Sequence, residues 1–321
     1  MSQSYIAWVR QLVGRRKIFL VTSSIILRDG YGRILLQHRT DFDVWGLPGG
    51  VLEIDEDIQT CARRELLEET GLEMGELRLV GIYTHPQFDV TYPNGDEVQQ
   101  YTICLAGLVS GGEMRPDMVE TKAQDFFAPE DLAGLTVPHW YRAMIRDGLA
   151  DGPPAFLPPY VSARPSDQIK LMRQYVGHGR MIAVGAMAAV QRDDGRFLMV
   201  RRSDNGTWTF PAGYSDLGEN VAHTAVRETL EETGYHITIE RILAVYTSPT
   251  YHHTFPNGDQ VKNVGTLFLA RLVGGQPVPD TAEISAIDWL LPEEIIHQVP
   301  EIFRYLYERV LASVPEGVLL D

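Results

Sequence analysis

The sequence has few of the features that would place the protein outside the cell, in a membrane or on nucleic acid. Its 321 residues include two cysteines, Cys61 and Cys104, which form no CxxC or other metal-binding spacing. Because sparse, unpatterned cysteine is typical of reduced compartments, we expect both to be small buried side chains and the protein to be cytoplasmic. No apolar run approaches the roughly 18 residues of a membrane span. The formal net charge of −15 argues against a broad surface for DNA, RNA or anionic membranes.

The composition that remains is that of a globular protein. Apolar residues make up 44% of the chain and charged residues 22%, and the length suffices for two ordinary domains. The nine histidines share no spacing between the two halves, and no Ser-His-Asp or Cys-His arrangement is evident. The negative charge still allows an anionic small molecule, because a bound divalent cation can invert the local field.

The chain repeats itself at an offset of 163 residues, without a gap over most of each half. The matching pairs include Arg10 and Arg173, Gly32 and Gly195, Arg39 and Arg202, Trp45 and Trp208, Pro48 and Pro211, and Gly50 and Gly213. A period of this length indicates a duplicated domain rather than a short-repeat solenoid. We predict one domain over residues 1–150, a proline-rich extended connector over 151–164 and a second domain over 165–321.

Each half shows the same order of predicted elements. A short amphipathic helix (YIAWVRQLVG, QIKLMRQYVG) precedes a core strand (KIFLVTSSII, RMIAVGAMAA), a loop and an acid-rich helix. Further strands and a terminal helix follow, which predicts an α/β domain of the α+β kind with a mixed sheet. In the recurring sequence PNGD, we expect Asn94-Gly95 and Asn257-Gly258 to be the central pairs of type I′ turns, where both residues have positive φ.

The sequence of the acid-rich helix occurs twice, as RELLEETGL at residues 64–72 and as RETLEETGY at residues 227–235. At 100° per residue, Glu65, Glu68 and Glu69 share an arc of about 100° on one face, and Arg64 can pair with Glu68 across one turn. A hard divalent cation, Mg²⁺ or Mn²⁺, would offset the repulsion among these carboxylates, and Ca²⁺ is a weaker alternative because its loop motif is absent. Just upstream, LPGG and FPAG bring glycine-permitted backbone towards this face.

These residues resemble the Nudix box: Gly, five residues, Glu, seven residues, then Arg-Glu-apolar-x-Glu-Glu-x-Gly-apolar. The first half matches at every position from Gly50 to Leu72, and the second half, from Gly213, departs only at the apolar positions held by Thr229 and Tyr235. The resemblance implies two tandem Nudix-fold α/β/α sandwich domains. It also implies hydrolysis of a nucleoside diphosphate linked to another moiety, with Mg²⁺ or Mn²⁺ as the metal.

The resemblance further implies roles for individual residues. The metal ligands would be the backbone carbonyls of Gly49 and Ala212 and the side chains of Glu65, Glu68, Glu69, Glu228, Glu231 and Glu232. The catalytic set would be Glu65 and Glu228 as ligand or general base, Arg64 and Arg227 as orienting residues, and the first box glutamates Glu56 and Glu219. Family members often use one more glutamate before the last strand, and Glu120 and Glu283 lie there in register, although both also fit a solvated loop.

Evidence for the substrate is thinner. Pro86 and Pro249 lie about fifteen residues beyond the last box glycine, as in the ADP-ribose-hydrolysing branch of the family, while Tyr251 resembles the dinucleoside-polyphosphate branch. Prolines at strand ends also have structural reasons. The candidate residues for stacking a base are Trp45, Phe88 and Tyr92 and their counterparts Trp208, Tyr251 and Phe255, with core packing as the alternative. Arg39 and Arg202 are the candidates for contacting phosphate.

We therefore favour an ADP-ribose-like small molecule as the substrate, with dinucleoside polyphosphates or nucleoside triphosphates as alternatives. A nucleotide or ADP-ribose sensor with one or both domains inactive is the alternative of another class; two complete carboxylate sets and the lack of a helix-turn-helix segment favour the enzyme. RNA cap removal is disfavoured by the charge. We also expect the halves to pair as an intramolecular pseudo-dimer and, because Thr229 replaces an apolar residue, to differ in activity.

Overall fold

A computed structural model describes residues 3–115, 119–150, 152–278, 282–313 and 317–321. The chain divides into two compact units, one that ends at Phe156 and one that begins at Leu157. Asp151, where the predicted connector begins, lies outside the described residues. Later connector residues are hydrogen-bonded: Ala155 pairs with the first unit's backbone, and residues 161–166 form a strand of the second unit.

The first unit contains three helices among its described residues: α1 (Tyr5–Val13), α2 (Ile58–Thr70) and α3 (His139–Leu149). Its strands are β1 (Ile18–Arg28), β2 (Ile34–Arg39), β3 (Trp45–Gly46), β4 (Leu72–Met74), β5 (Arg78–Tyr83), β6 (Val90–Thr91), β7 (Glu97–Gly112) and β8 (Thr121–Phe127). They form a mixed sheet in the order β3-β2-β1-β7-β4, with β5 and β6 also paired to β7 and β8 paired to β2. The central pair, β1 and β7, is parallel and registers Ile18 with Val98.

The second unit repeats this arrangement. Its helices are α4 (Gln168–Val176), α5 (Val221–Thr233), α6 (Pro292–Ile295) and α7 (Arg304–Ser313). Its strands are β9 (Val161–Ser166), β10 (Met181–Gln191), β11 (Phe197–Arg202), β12 (Trp208–Thr209), β13 (Ala212–Tyr214), β14 (Leu217–Glu219), β15 (Tyr235–Tyr246), β16 (His252–Thr254), β17 (Gln260–Gly275), β18 (Ile284–Leu290) and β19 (Leu319–Leu320). The main sheet runs β12-β11-β10-β17-β15-β19, with β10 parallel to β17, while β9 pairs with β14. The predicted mixed α+β fold is confirmed in both units.

The acid-rich helices form where the sequence predicts them. Asp57 caps α2 by accepting the Thr60 N–H at 2.8 Å, and Gly71 ends the helix in the left-handed conformation with φ of 72°. Asn220 and Gly234 do the same for α5. One face of α2 is buried on the sheet and includes Glu69, whereas Glu65 is half-buried and Glu68 is exposed. The fold therefore presents the box carboxylates on a helix that is fixed at both ends.

The hairpin turns differ from the prediction. Among the described non-glycine residues only Asp43 has a positive φ, so Asn94 and Asn257 do not occupy type I′ positions. Instead, the Gly95 N–H donates to the Tyr92 carbonyl at 2.8 Å, which makes Pro93 and Asn94 the central pair and leaves Gly95 with φ of 86°. Proline explains the one-residue shift, because its fixed negative φ suits the first central position of a type I turn.

The structure also places three smaller features of the sequence. Cys61 and Cys104 are free and buried, as predicted. Thr229 lies in the buried face of α5, where its hydroxyl donates to the Ala225 carbonyl at 2.7 Å, so the polar group has a partner. No helix in the described part of the chain is both long enough and apolar enough to cross a membrane.

Candidate functional site

Arg64 hydrogen-bonds to three of the box glutamates of the first unit. Its Nε and Nη2 donate to both oxygens of Glu56, at 3.0 and 2.6 Å. Its Nη1 donates to Glu65 at 2.8 Å and to Glu68 at 3.2 Å, and Nη2 also reaches the Val51 carbonyl at 3.3 Å. The hydrogen bonds to Glu56 are the main reason that the pKa of Arg64 is raised. A guanidinium is a rigid fork, so this network fixes three box glutamates relative to the preceding loop.

Arg227 makes the same set of contacts in the second unit. It donates to both oxygens of Glu219 at 3.1 and 2.8 Å, to Glu228 at 2.6 Å and to Glu231 at 3.1 Å. Its Nη2 donates to the Tyr214 carbonyl at 2.9 Å. The predicted orienting arginines thus lie at the centre of both clusters, and Glu56 and Glu219 are held as their two-oxygen partners.

The last box glutamate of each unit is buried beneath the glycine loop. The Gly49 N–H donates to Glu69 at 2.9 Å, and the Ala212 N–H donates to Glu232 at 3.0 Å. Burial raises the pKa of Glu69 to about 7 and that of Glu232 to about 8. Carboxylates buried in this way gain from a nearby cation, which would offset the loss of hydration.

The first box glycines leave room for the glutamates that would act as bases. A Cβ atom at Gly50 would lie 2.3 Å from Cδ of Glu65, and one at Gly213 would lie 2.0 Å from Cδ of Glu228. Burial also raises the pKa of both glutamates, that of Glu228 to about 7. Only glycine at these two positions permits the carboxylate to press against the loop.

These donors fit a hard divalent cation by their chemistry. Glu65, Glu68, Glu69 and the Gly49 carbonyl offer oxygen alone, the ligand type that Mg²⁺ and Mn²⁺ prefer. In the described residues no group of three or more His, Cys, Asp or Glu side chains is already arranged as a metal site. Arg64 accounts for part of this, since it bonds to two of the carboxylates. The arginine bonds to one oxygen of each of them, Oε1 of Glu65 and Oε2 of Glu68.

The additional glutamates lie next to the clusters. The Glu120 carbonyl accepts the Thr40 N–H at 2.9 Å, and the negative charge of Glu120 helps to raise the pKa of Glu65. The Glu283 carbonyl accepts the Ser203 N–H at 2.8 Å, and the negative charge of the Glu283 side chain helps to raise the pKa of Glu232. The structure therefore brings both predicted glutamates to their box helices.

A cavity of about 610 Å³ opens beside the cluster of the first unit. Its polar lining includes Glu65 and Arg39, and Arg39 donates two hydrogen bonds to Asp41 at 2.9 and 2.7 Å. Its apolar lining includes aliphatic and aromatic side chains, among them Leu20, Val51, Val90, Val98, Phe42, Tyr92, Trp140 and Tyr141. The cavity thus joins a carboxylate cluster, an arginine and ring-stacking surfaces.

Phe88 and Tyr251, two of the aromatic residues predicted to stack a base, are buried in the core. Phe88 is 4% exposed and stacks on His139, and Tyr251 is 1% exposed and stacks on Phe303. Trp45 packs on neighbouring rings, and Trp208 packs on the core of the second unit. Core packing, the alternative considered for these rings, is what the structure shows for Phe88 and Tyr251, whereas Trp45 and Trp208 are half-buried and Tyr92 lines the cavity.

The sequence interpretation did not find the aromatic residues that do line the cavity from α3. Trp140 and Tyr141 align with Phe303 and Arg304, so the repeat that identified the box does not preserve them. Arg10 was visible only as a match with Arg173. It lines the cavity and also ties α1 to the β6–β7 hairpin, by donating to the Glu97 carbonyl at 2.9 Å.

Comparison with known proteins gives one family for both halves. The model of the NUDIX domain matches residues 19–148 and 180–310. A MutT-like protein of Streptomyces ambofaciens is 30% identical over 121 residues, which is 38% of this chain and 71% of the relative. A putative 8-oxo-dGTP diphosphatase of Bacillus subtilis (strain 168) is 32% identical over 127 residues, 39% of this chain and 78% of the relative. An ADP-ribose pyrophosphatase of Methanocaldococcus jannaschii is 31% identical over 94 residues, 28% of this chain and 52% of the relative. The predicted resemblance is confirmed, and the chain belongs to the Nudix hydrolase family, with one Nudix domain matched in each half.

Proposed function

We propose that the protein is a metal-dependent pyrophosphohydrolase with a catalytic site in each unit, acting on small nucleoside diphosphate derivatives. The observation that carries the proposal is the duplicated cluster, in which one arginine bonds to three glutamates at closely matched distances and a fourth glutamate is buried beneath the glycine loop. A sensor would need a ligand pocket but would not need a complete carboxylate set in each unit. The duplication therefore favours turnover over binding alone.

Each residue of the cluster has a part in the reaction. A bound Mg²⁺ or Mn²⁺ would neutralise pyrophosphate charge and lower the pKa of a water molecule. Glu68, Glu69 and the Gly49 carbonyl would hold the cation. Arg64 fixes Oε1 of Glu65, so that Oε2 can accept the proton of the water as its oxygen attacks one phosphorus. The bridging P–O bond then breaks, and the second phosphate leaves with the bridging oxygen. In the second unit the cation would be held by Glu231, Glu232 and the Ala212 carbonyl, and the proton would be accepted by Glu228.

The cavity of the first unit favours a substrate such as ADP-ribose. Its volume of about 610 Å³ is within the range of roughly 300–1,000 Å³ usual for small-molecule sites. Arg39 is placed to contact phosphate, and Tyr92 and Tyr141 offer rings for stacking. One relative named above is called an ADP-ribose pyrophosphatase. Nucleoside triphosphates are the second candidate, since another relative is called a putative 8-oxo-dGTP diphosphatase.

The proposal is tested by Glu69→Gln combined with Glu232→Gln, in the full chain with Mg²⁺ and a panel of ADP-ribose, diadenosine tetraphosphate and dGTP. Loss of one ligand charge at each site should lower kcat by at least about 10²-fold on every substrate that is cleaved. Glu240→Gln, a half-exposed glutamate outside the clusters, is the matched control. Full activity in the double variant, or in excess EDTA, would contradict the mechanism. Tight binding of ADP-ribose without cleavage of any substrate would indicate the sensor.

Single variants assign the activity to each site. Glu68→Gln and Glu231→Gln remove equivalent carboxylates, one from each cluster. We expect unequal losses across the same panel, because the walls around the two clusters differ. Equal losses on every substrate would mean that the two sites are interchangeable.

A further inference from the structure

One position beside the box has the same backbone but different side chains in the two units. The carbonyls of Val51 and Tyr214 both accept a hydrogen bond from the box arginine, at 3.3 and 2.9 Å. Val51 forms an antiparallel bridge with Thr22 of β1, and Tyr214 pairs with Gly185 of β10 in the same register. Because the backbones correspond, the two side chains leave the chain at equivalent points. In the first unit that point is the lining of the cavity.

The phenol of Tyr214 is fixed in the second unit. Its hydroxyl donates to Oδ1 of Asn263 at 2.8 Å, and the Asn263 amide in turn donates to the Tyr251 carbonyl at 3.0 Å. Burial raises the pKa of Tyr214 to about 12. A ring anchored at its hydroxyl end cannot swing aside as freely as a surface tyrosine.

The surroundings of Tyr214 match those of the first cavity. The positive charges of Arg202 and Arg173 act on its phenol. Their equivalents in the first unit, Arg39 and Arg10, both line the cavity. The tyrosine ring therefore lies in a region that corresponds to open space in the first unit.

The side chains of the sheet beneath this position also differ between the two units. In the first unit the hydroxyls of Thr22 and Thr102 hydrogen-bond at 2.8 Å. In the second unit the paired residues are both glycines, Gly185 and Gly265. A Cβ atom at Gly265 would lie 2.2 Å from the hydroxyl oxygen of Tyr246. The small polar side chains on the sheet of the first unit are thus replaced, in the second unit, by glycines and by tyrosine rings.

The walls of the first cavity suit a substrate with two bulky ends. A pyrophosphate that links two groups, as in ADP-ribose, needs space for a nucleoside on one side and a second sugar on the other. Leu20, Val51 and Val98 supply an aliphatic wall from the sheet, and Trp140 and Tyr141 supply an aromatic wall from α3. A nucleoside triphosphate has one bulky end and needs only one such wall.

We propose that residues 51 and 214 determine the substrate class of their sites: Val51 admits a nucleoside diphosphate linked to a second sugar, whereas Tyr214 restricts the second site to nucleotides with one bulky end, such as nucleoside triphosphates. This assignment rests on the proposed hydrolase function. Under this assignment the two sites accept different substrates although their carboxylate clusters are alike.

The test exchanges the two side chains while one site at a time is active. Val51→Tyr is measured with the second site silenced by Glu232→Gln, and Tyr214→Val with the first silenced by Glu69→Gln. We expect Val51→Tyr to raise KM for ADP-ribose at least about tenfold more than KM for dGTP, the scale on which a pocket discriminates by size. Tyr214→Val should lower KM for ADP-ribose at the second site at least about tenfold by the same reasoning.

Equal changes in KM for both nucleotides, or a fall in kcat with both KM values unchanged, would overturn the assignment. Calorimetric titration of the same variants with ADP-ribose and with dGTP separates this result from a failure of the proposed function, because binding needs no turnover. If nothing is hydrolysed, the hydrolase proposal fails, yet selective loss of ADP-ribose binding in Val51→Tyr still supports the assignment. Unchanged ADP-ribose binding in that variant, or no binding of either nucleotide by the unsubstituted chain, overturns it.

Discussion

Removal of Arg227 should destabilise the second unit far more than loss of an ordinary ion pair. The Glu219 side chain is 1% exposed and accepts two hydrogen bonds from Arg227 at 2.8 and 3.1 Å. It also accepts the Asp216 N–H at 2.9 Å and the Thr224 hydroxyl at 2.8 Å, and neither of these carries a compensating charge. Arg227→Ala therefore removes the guanidinium from a buried carboxylate and leaves the His223 ring, 3.7 Å away and charged only when protonated, as a nearby cation. Breaking a buried pair in this way typically costs about 3–5 kcal/mol.

Differential scanning calorimetry of the full chain measures this cost. For a unit of this size about 1 kcal/mol lowers Tm by roughly 2–4 °C, so we expect a fall of roughly 6–20 °C in the transition of the second unit. Arg271→Ala is the matched control. Arg271 pairs with Glu240 at 3.5 Å, but the two side chains are 60% and 42% exposed. Such a surface pair contributes about 0–1 kcal/mol.

A compensated variant decides whether the uncompensated charge is the cause. Glu219→Gln combined with Arg227→Met removes both charges, and it should recover most of the stability lost in Arg227→Ala. The reasoning is refuted if Arg227→Ala is no worse than Arg271→Ala. It is refuted equally if the double variant is as unstable as the single one.

Two further variants probe close contacts. Gly50→Ala should push the flexible end of Glu65 away from the loop and lower kcat by about 10²-fold, because the carboxylate is misplaced, with little change in Tm. Gly30→Ala is the control, since a Cβ atom there meets no atom within 4 Å, and it should change neither kcat nor Tm. An unchanged kcat in Gly50→Ala would contradict the role of this glycine. Tyr307→Phe removes the hydroxyl that accepts the buried Phe210 N–H at 2.8 Å, so it should cost about 1–3 kcal/mol by calorimetry, a prediction that fails if Tm is unchanged.

The elements that the sequence predicts well are those governed by local rules. The periodicity of the acid-rich helix, its capping residues and the left-handed Gly71 depend on neighbours within one or two turns. The contacts of Arg64 follow from the same spacing, since Glu65 and Glu68 lie within one turn of it on the helix. The duplication adds independent support, because the second unit shows the same geometry at Arg227.

The failures arise where tertiary packing or a competing local preference decides. Pro93 shifted the hairpin turn by one residue, because its fixed φ outweighs the preference of Asn-Gly for a type I′ turn. Phe88 and Tyr251 lie in register near the box, but helices from the end of each unit cover them. Tyr141 reaches the cavity because Gly46 leaves space for its ring, a contact between residues distant in sequence. No local pattern reports such a contact.

The parallel pairing of β1 with β7 also constrains how the chain folds. Thr22 and Thr102, which face each other across this pair, are 80 residues apart, and their equivalents in β10 and β17 repeat the separation. Closing so long a loop costs entropy before any of the pairing is gained, so we expect the central strands to join late and folding to be slow for a domain of this size. During synthesis β1 lacks its parallel partner until β7 leaves the ribosome, although β2 is already available on its other side. Over that interval we expect the β7-facing edge of β1 to be open to a chaperone or to an aggregating neighbour.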